Sequence, residues 1–155
     1  MKKKEDIKLI SKNKKAYFDY EIIDSWEAWI LLKWHEVKSI KAKQVNLKWS
    51  YIIAQNNELF IKSMHVWVWK TLANKKSIDP FVLRKILLHK KTINFLLWKL
   101  KEKWFSIIPL EIYEKTNLIK LKVWLAKWRK KFEKKQVLKE RTLEKEAKIK
   151  MMKYI

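Results

Sequence analysis

Catalytic or metal chemistry in this 155-residue chain would have to be built from His35, His65 and His89, from the carboxylates of "DYEIID" at 19–24, or from a loop shaped by glycine. The histidines lie thirty and twenty-four residues apart, so no two share the helical or loop spacing of a ligand pair. The carboxylates stand among apolar and aromatic residues and read as the polar face of a strand, not as an acid/base pair. There is no cysteine and no glycine, which removes thiolate nucleophiles, Cys-bearing zinc sites, disulfides and every glycine-built phosphate or dinucleotide loop. A binder rather than an enzyme is expected, with no metal and no cofactor.

The chemistry that the composition favours is charge pairing. Thirty-eight Lys and Arg face sixteen Asp and Glu, a net charge of +22, although 48% of the residues are apolar. Self-repulsion of that size opposes a compact state, and its usual purpose is a polyanionic partner: nucleic acid first, an anionic membrane surface second. The basic residues gather at the ends. Residues 1–15 hold seven lysines against Glu5 and Asp6, and residues 127–155 hold twelve Lys or Arg against four Glu. No signal-peptide pattern and no run of eighteen apolar residues is present, so a cytoplasmic protein without a membrane span is expected.

These charges need a scaffold, and at this length one hydrophobic core is expected. "YFDYEII" (17–23), "EAWILLKW" (27–34), "SYIIA" (50–54) and "ELFIKSMHVWV" (58–68) read as strands separated by polar turns such as "QNN" (55–57). "FSIIPLEIY" and "LIKLKVWLA", on either side of "EKTN", read as a hairpin. Helices are predicted over "EVKSIKA" (36–42) and "KKTINFLLWKLKEK" (90–103), the second with Ile93, Leu96, Leu97 and Leu100 on one face. The fold class is mainly β with short helices, an OB-like antiparallel β-barrel. A plain α+β sheet under one helix fits the same pattern.

The expected division is a basic N-terminal arm at 1–12, the barrel at 13–126 and a basic C-terminal tail at 127–155. The tail is rich in helix formers and carries Glu144–Lys148 and Glu146–Lys150 pairs, yet has no wide apolar stripe. It is expected to be disordered alone and helical against a polyanion; a solvated surface helix is the other reading.

The succession "NKKAYFDYEI" (13–22), "EAWILLKWHEVKSIKAKQVNLKWSY" (27–51), "DPFVLRKILLHKK" (79–91), "IIPLEIY" (107–113) and "LAKWRKKFEKK" (125–135) resembles the SmpB family of bacterial tmRNA-binding proteins, in order and over nearly the whole chain. The most specific parts are EVKS preceded by EA-x-I-x-L, and RK-x-LLHK ahead of a helix. The resemblance implies an OB-type body that clasps the tRNA-like domain of tmRNA at its elbow and stands in for the missing anticodon arm. It implies delivery with the elongation factor Tu complex of alanyl-tmRNA to stalled 70S ribosomes, where the tail probes the decoding centre and the empty mRNA channel. A monomer without membrane contact is implied.

Matching positions for RNA contact are Asn13, Lys14, Lys15, Glu27, Lys38, Leu87 and Lys120. The lysines would neutralise phosphates and Glu27 would accept from hydroxyl or amino groups; a strand-edge salt bridge is the plainer reading of Glu27. Matching tail positions are Lys127, Arg129, Lys130, Lys131 and Phe132, followed by Glu133, Lys134 and Lys135 in place of an acidic-Lys-Arg triplet. Lysine at the last place keeps the charge and loses the arginine fork. The usual basic, histidine-containing stretch is replaced by "YFDY", so Tyr17 and Phe18 would stack instead. A ribosome-associated, rRNA-binding barrel would share the charge and fold.

A chain of this length holds about eleven glycines on average, at about 7% of residues. This one has none, and ten tryptophans. In the family pattern glycine stands where this chain has Trp29, Trp34, Trp104 and Trp128, and often at Trp98 and Trp124, whereas an aromatic is common at Trp26. Most of these tryptophans are expected to be glycine in the living organism, encoded by UGA. Trp104, after a lysine-rich helix end, is expected at a left-handed position that favours glycine. The other reading makes the indoles stacking platforms for unpaired bases.

Overall fold

The computed structural model describes residues 6–69, 73 and 75–153. In chain order the elements are β1 (Ile7–Lys12), α1 (Lys14–Asp19), β2 (Tyr20–Ile30), α2 (Trp34–Lys41), β3 (Val45–Asn46), β4 (Tyr51–Gln55), β5 (Glu58–Lys62), β6 (His65–Val66), β7 (Arg84–Leu87), α3 (Lys90–Leu100), β8 (Phe105–Lys115), β9 (Leu118–Trp128) and α4 (Lys131–Lys153), with a 3-10 turn at Lys75–Ser77.

The predicted hairpin is β8–β9. It turns through Thr116 and Asn117, both left-handed (φ 51° and 63°), so that Lys115 faces Leu118. Two central residues of positive φ match the twist of the flanking strands, and Asn56–Asn57 (φ 50° and 59°) do the same between β4 and β5. The order β4-β5-β7-β2-β9-β8 closes on itself because β8 pairs with both β9 and β4, while β1 pairs beside the far half of β8, Ile7 opposite Lys115 and Lys12 opposite Glu111. All pairings are antiparallel, and closure leaves few free edges. A ribbon of β3 and β6 lies outside this ring. The fold is thus mainly antiparallel β, barrel-like, with short helices.

Alternation fills the ring. Ala28, Ile52, Leu59, Ile61, Ile86, Ile107, Ile112, Leu121, Val123 and Leu125 are all buried inside, and α3 closes one end with Leu96, flanked by Ile93, Leu97 and Leu100 as its spacing predicts. A smaller cluster of Ala16, Ile108, Leu110, Trp124 and Ala126 lies under α1, so β8 and β9 are covered on both faces there.

The two most specific sequence blocks meet inside the molecule. Arg84 Nε donates to Glu36 Oε1 at 2.7 Å, with side chains 2% and 6% exposed. Nη1 of Arg84 donates to the carbonyls of Met64 and Val82 and Nη2 to that of Pro80, while Glu36 Oε2 accepts from Lys33 N at 2.9 Å. This buried pair is hydrogen-bonded on every side, the condition under which a buried charge is tolerated.

Several sequence expectations change. Residues 17–19 are helix, not strand, because Asn13 Oδ1 accepts from Ala16 N and starts α1. The two strands expected at 17–23 and 27–34 are the single strand β2, bulged between Ile22 and Asp24, and Trp34 already belongs to α2. The run 58–68 breaks at Ser63, which is left-handed (φ 62°). Part of the expected N-terminal arm is β1, and β7 was not read as a strand. Lys127 belongs to β9, opposite Glu21 and Phe105, not to the tail. In the tail, Lys131–Lys153 form α4, for which helix formers and ion-pair spacing suffice locally, and none of its described residues is buried. The left-handed tryptophan is Trp49 (φ 67°), not Trp104.

Candidate nucleic-acid interface

The outer face of the ring carries a row of side chains set by register alone. Leu87 faces Trp29 across β7–β2, Trp29 faces Lys120 across β2–β9, and Lys120 faces Tyr113 across β9–β8. Residues directly opposite share a face of the sheet, so four strands present one line. Glu27, two residues before Trp29, lies on the same face. Its Oε1 meets Lys120 Nζ at 3.0 Å and its Oε2 accepts from the Tyr113 hydroxyl. These contacts, the tyrosine's first, hold the Glu27 carboxyl below its usual range, while burial and the same bond push the Tyr113 hydroxyl up. Glu27 is therefore ionised, with half its acceptor capacity facing solvent, and Lys120 keeps donors beyond the pair.

The face continues along β8. Glu111 accepts from the Tyr17 hydroxyl at 2.7 Å and pairs with Lys12 Nζ at 3.5 Å; burial first, and Glu111 second, raise the Tyr17 hydroxyl. Beyond it Lys12, Lys14, Lys15 and Lys48 surround a recess of about 290 Å³ with Asn13 and Asn46. Four lysines line this hollow, the ammonium of Lys12 held by Glu111 and that of Lys15 over the Trp49 ring, and a basic wall of this kind suits a phosphate. Glu27, Glu111, Tyr113 and Lys122 also line a cleft of about 500 Å³, whose other wall includes Ile7, Leu9 and Trp26.

Of the expected RNA-contact residues, Glu27, Leu87 and Lys120 come together in the row, and Lys14 and Lys15 in the recess. Lys38 stands on α2 with its ammonium over the Trp34 ring at 4.9 Å. Asn13 has a different place: only 5% exposed, it donates from Nδ2 to Leu47 O and Pro109 O and so pins α1 to the ring. Tyr113 and Lys12 were missed. Tyr113 could have been found from the hairpin, since pairing Lys115 with Leu118 already sets it opposite Lys120.

The tail residues divide between anchor and free surface. Arg129 N donates to Asp19 O at 3.0 Å, and Glu133 caps α4 by accepting from Lys130 N at 2.8 Å. Lys134 Nζ reaches Asp19 Oδ1 at 2.9 Å and covers Trp128 at 3.8 Å, and Arg141 lies over Phe18 at 5.9 Å. Lys131, Phe132 and Lys135 are exposed. Phe18 and Tyr17, expected to stack on RNA, are thus engaged by Arg141, Glu111 and Lys12. No helix among the described residues is long and apolar enough to cross a membrane.

A closed antiparallel ring, a lysine-bearing outer face and a basic appended helix define a small basic OB-like barrel. The chain belongs to the SmpB family, whose description, SmpB protein, matches residues 10–153. SsrA-binding proteins of Halothermothrix orenii and Persephonella marina are 41% and 43% identical over 142 and 140 residues, covering 92% and 90% of this chain and 91% of each relative. The SsrA-binding protein of Caldicellulosiruptor saccharolyticus is 41% identical over 153 residues, 99% of this chain and 96% of its own. A chain from the solved structure "tmRNA-SmpB: a journey to the center of the bacterial ribosome" matches with a TM-score of 0.65 at 33% identity, covering 78% of this chain and 85% of that one.

Proposed function

We propose that the protein is a tmRNA-binding component of trans-translation, which takes the tRNA-like domain of tmRNA to stalled ribosomes so that the nascent chain is released and tagged. The observation that carries this reading is family membership at 41–43% identity along nine-tenths or more of the chain. It works by binding, in the cytoplasm, as the partner of tmRNA, the 70S ribosome and the elongation factor Tu complex.

The chemistry divides by region. Phosphates are met by Lys14 and Lys15 in the recess and by Lys120 in the row, while ionised Glu27 accepts from a 2′-hydroxyl or a base amino group, a contact that distinguishes RNA from a mere polyanion. Apolar Leu87 packs at the row's end. Asn13 acts indirectly by setting α1, and Lys38 adds charge from α2. The exposed Lys131, Phe132 and Lys135, with the rest of α4, are left for the mRNA channel and decoding centre, and Lys127, Arg129, Lys130, Glu133 and Lys134 set the direction in which α4 leaves the body.

Titration of the protein with the tRNA-like domain at several salt concentrations tests the division. Lys120→Ala lowers the affinity and reduces the log–log salt slope by about 1, whereas Lys135→Ala leaves RNA affinity unchanged and abolishes tagging in a reconstituted translation reaction. Unchanged RNA binding in Lys120→Ala, or lost RNA binding in Lys135→Ala, contradicts it.

A further inference from the structure

Neither the core nor the proposed function absorbs most of the tryptophans. Trp29, Trp34, Trp49, Trp98, Trp104 and Trp128 are between 45% and 67% exposed; Trp67, 48% exposed, differs in packing edge-on to His65, 4.4 Å between ring centroids. Trp26, by contrast, packs half-buried against the core beside Phe95, 6.0 Å between ring centroids. Large exposed apolar side chains mark interfaces when they gather into one patch. These do not gather by element: they lie on β2, at the start of α2, before β4, within α3, before β8 and at the end of β9.

Backbone geometry singles out one of them. Trp49 has φ 67°, in the region where a Cβ collides with the backbone and a bulky residue is an outlier. The other left-handed positions are held by Lys43, Asn56, Asn57, Ser63, Thr116 and Asn117. A chain that places an indole in such a turn, and nowhere uses glycine among 155 residues, lacks the residue made for it.

The lysines give a third, independent observation. Lys15 Nζ lies 3.2 Å from the Trp49 ring centre, Lys120 Nζ 3.5 Å from Trp29, Lys134 Nζ 3.8 Å from Trp128 and Lys38 Nζ 4.9 Å from Trp34. Each of these four ammonium groups belongs to the RNA-contact or tail residues above, whereas Lys99 Nζ, 4.5 Å from the Trp98 ring centre, does not. An ammonium held over a ring is partly engaged, and it occupies the face on which a base would stack. The indoles therefore serve poorly as stacking platforms and also shield the lysines from phosphate. Glycine at 29, 34, 49 and 128 would do the reverse, lifting the rings from the four ammonium groups while Lys120 keeps its pair with Glu27 and Lys134 its pair with Asp19, and letting an RNA backbone approach closely.

We propose that the residues at 29, 34, 49, 98, 104 and 128 are glycine in the protein as its own organism makes it, inserted at UGA codons by a glycyl-tRNA, and that the RNA-facing lysines are correspondingly open. The first half stands on composition and geometry; the second rests on the RNA-contact reading above.

Peptide mass spectrometry of the protein isolated from its own organism decides the first half. Glycine at these six positions, with tryptophan at 26, is the expected result, and tryptophan at half or more of the six overturns it. For the second half, the all-tryptophan chain and a version carrying the six Trp→Gly replacements are titrated with the tRNA-like domain of tmRNA. The six-glycine version binds about tenfold tighter. Equal or weaker binding, with indole fluorescence of the tryptophan version quenched by RNA, makes the rings stacking platforms and overturns the open-lysine surface. Failure of both folded versions to bind removes the RNA reading, and the mass result alone decides the residues.

Discussion

At the scale of single residues the Glu27–Tyr113–Lys120 contact is the centre of the proposed RNA face. The Tyr113 hydroxyl is the first cause of the lowered Glu27 carboxyl, so Tyr113→Phe raises the Glu27 pKa towards its ordinary value, measured by NMR titration of the carboxyl carbon; no movement would show that Lys120 and Lys115 hold the charge without it. A carboxyl lowered by folding contributes stability that is present above its ordinary pKa and is lost as pH falls through the lower folded value. The bonds at Glu27 therefore persist at neutral pH and loosen only well into the acid range. Trp49→Gly relieves a left-handed indole and, against the entropy cost of glycine, stabilises the chain by about 1 kcal/mol in urea unfolding; destabilisation would mean that the contact with Lys15 outweighs the strain. The resemblance named Glu27, Leu87 and Lys120, and the sheet brings the three to one face. Tyr113 carries no signal in the resemblance and is found only from the hairpin register, which sets it opposite Lys120 once Lys115 faces Leu118. The partners of Asn13 within the chain, Leu47 and Pro109, are 34 and 96 residues away and so carry no local signal.

At the scale of elements, local signals carried what local chemistry determines. The β8–β9 turn, the apolar face of α3 and the helix formers of α4 were all readable, because each depends on residues a few places apart. α1 was not: "KKAYFD" has no apolar stripe of its own, and its helix depends on Asn13, which the ring holds. β1 was hidden by its lysines, since a strand laid beside β8 leaves charged residues to solvent. Arg84 and Glu36 tie β7 to α2. Removing one partner leaves a buried charge unpaired, so Glu36→Gln or Arg84→Met costs about 3–5 kcal/mol in urea unfolding, whereas a cost below about 1 kcal/mol would make the pair no more than a surface bridge. The tail is tied at one end, by Lys134 to Asp19. With no described side chain of α4 buried, amide exchange is fast along the helix beyond that anchor, and Lys134→Ala extends fast exchange into its first turn while exchange in β2 and β9 stays slow. Protection that persists in the variant would place the anchor elsewhere.

At the scale of the molecule, a net charge of +22 on a closed antiparallel ring favours any polyanion, and the proposed function assigns selectivity to the row of Glu27 with Lys120. Composition made the first part legible. It could not supply the second, because selectivity depends on which lysines the ring brings to one face and which it places on acidic neighbours, as Lys41 on Glu114 and Lys85 on Glu58. The central claim, recognition of one RNA shape instead of bulk negative charge, is tested most directly by competition. The protein bound to the tRNA-like domain of tmRNA is challenged with ribosomal RNA fragments of equal length as salt is raised. The account predicts that the tRNA-like domain is retained while the ribosomal fragments are lost first; release of both along the same salt curve would contradict it and leave a basic barrel that binds RNA by charge alone.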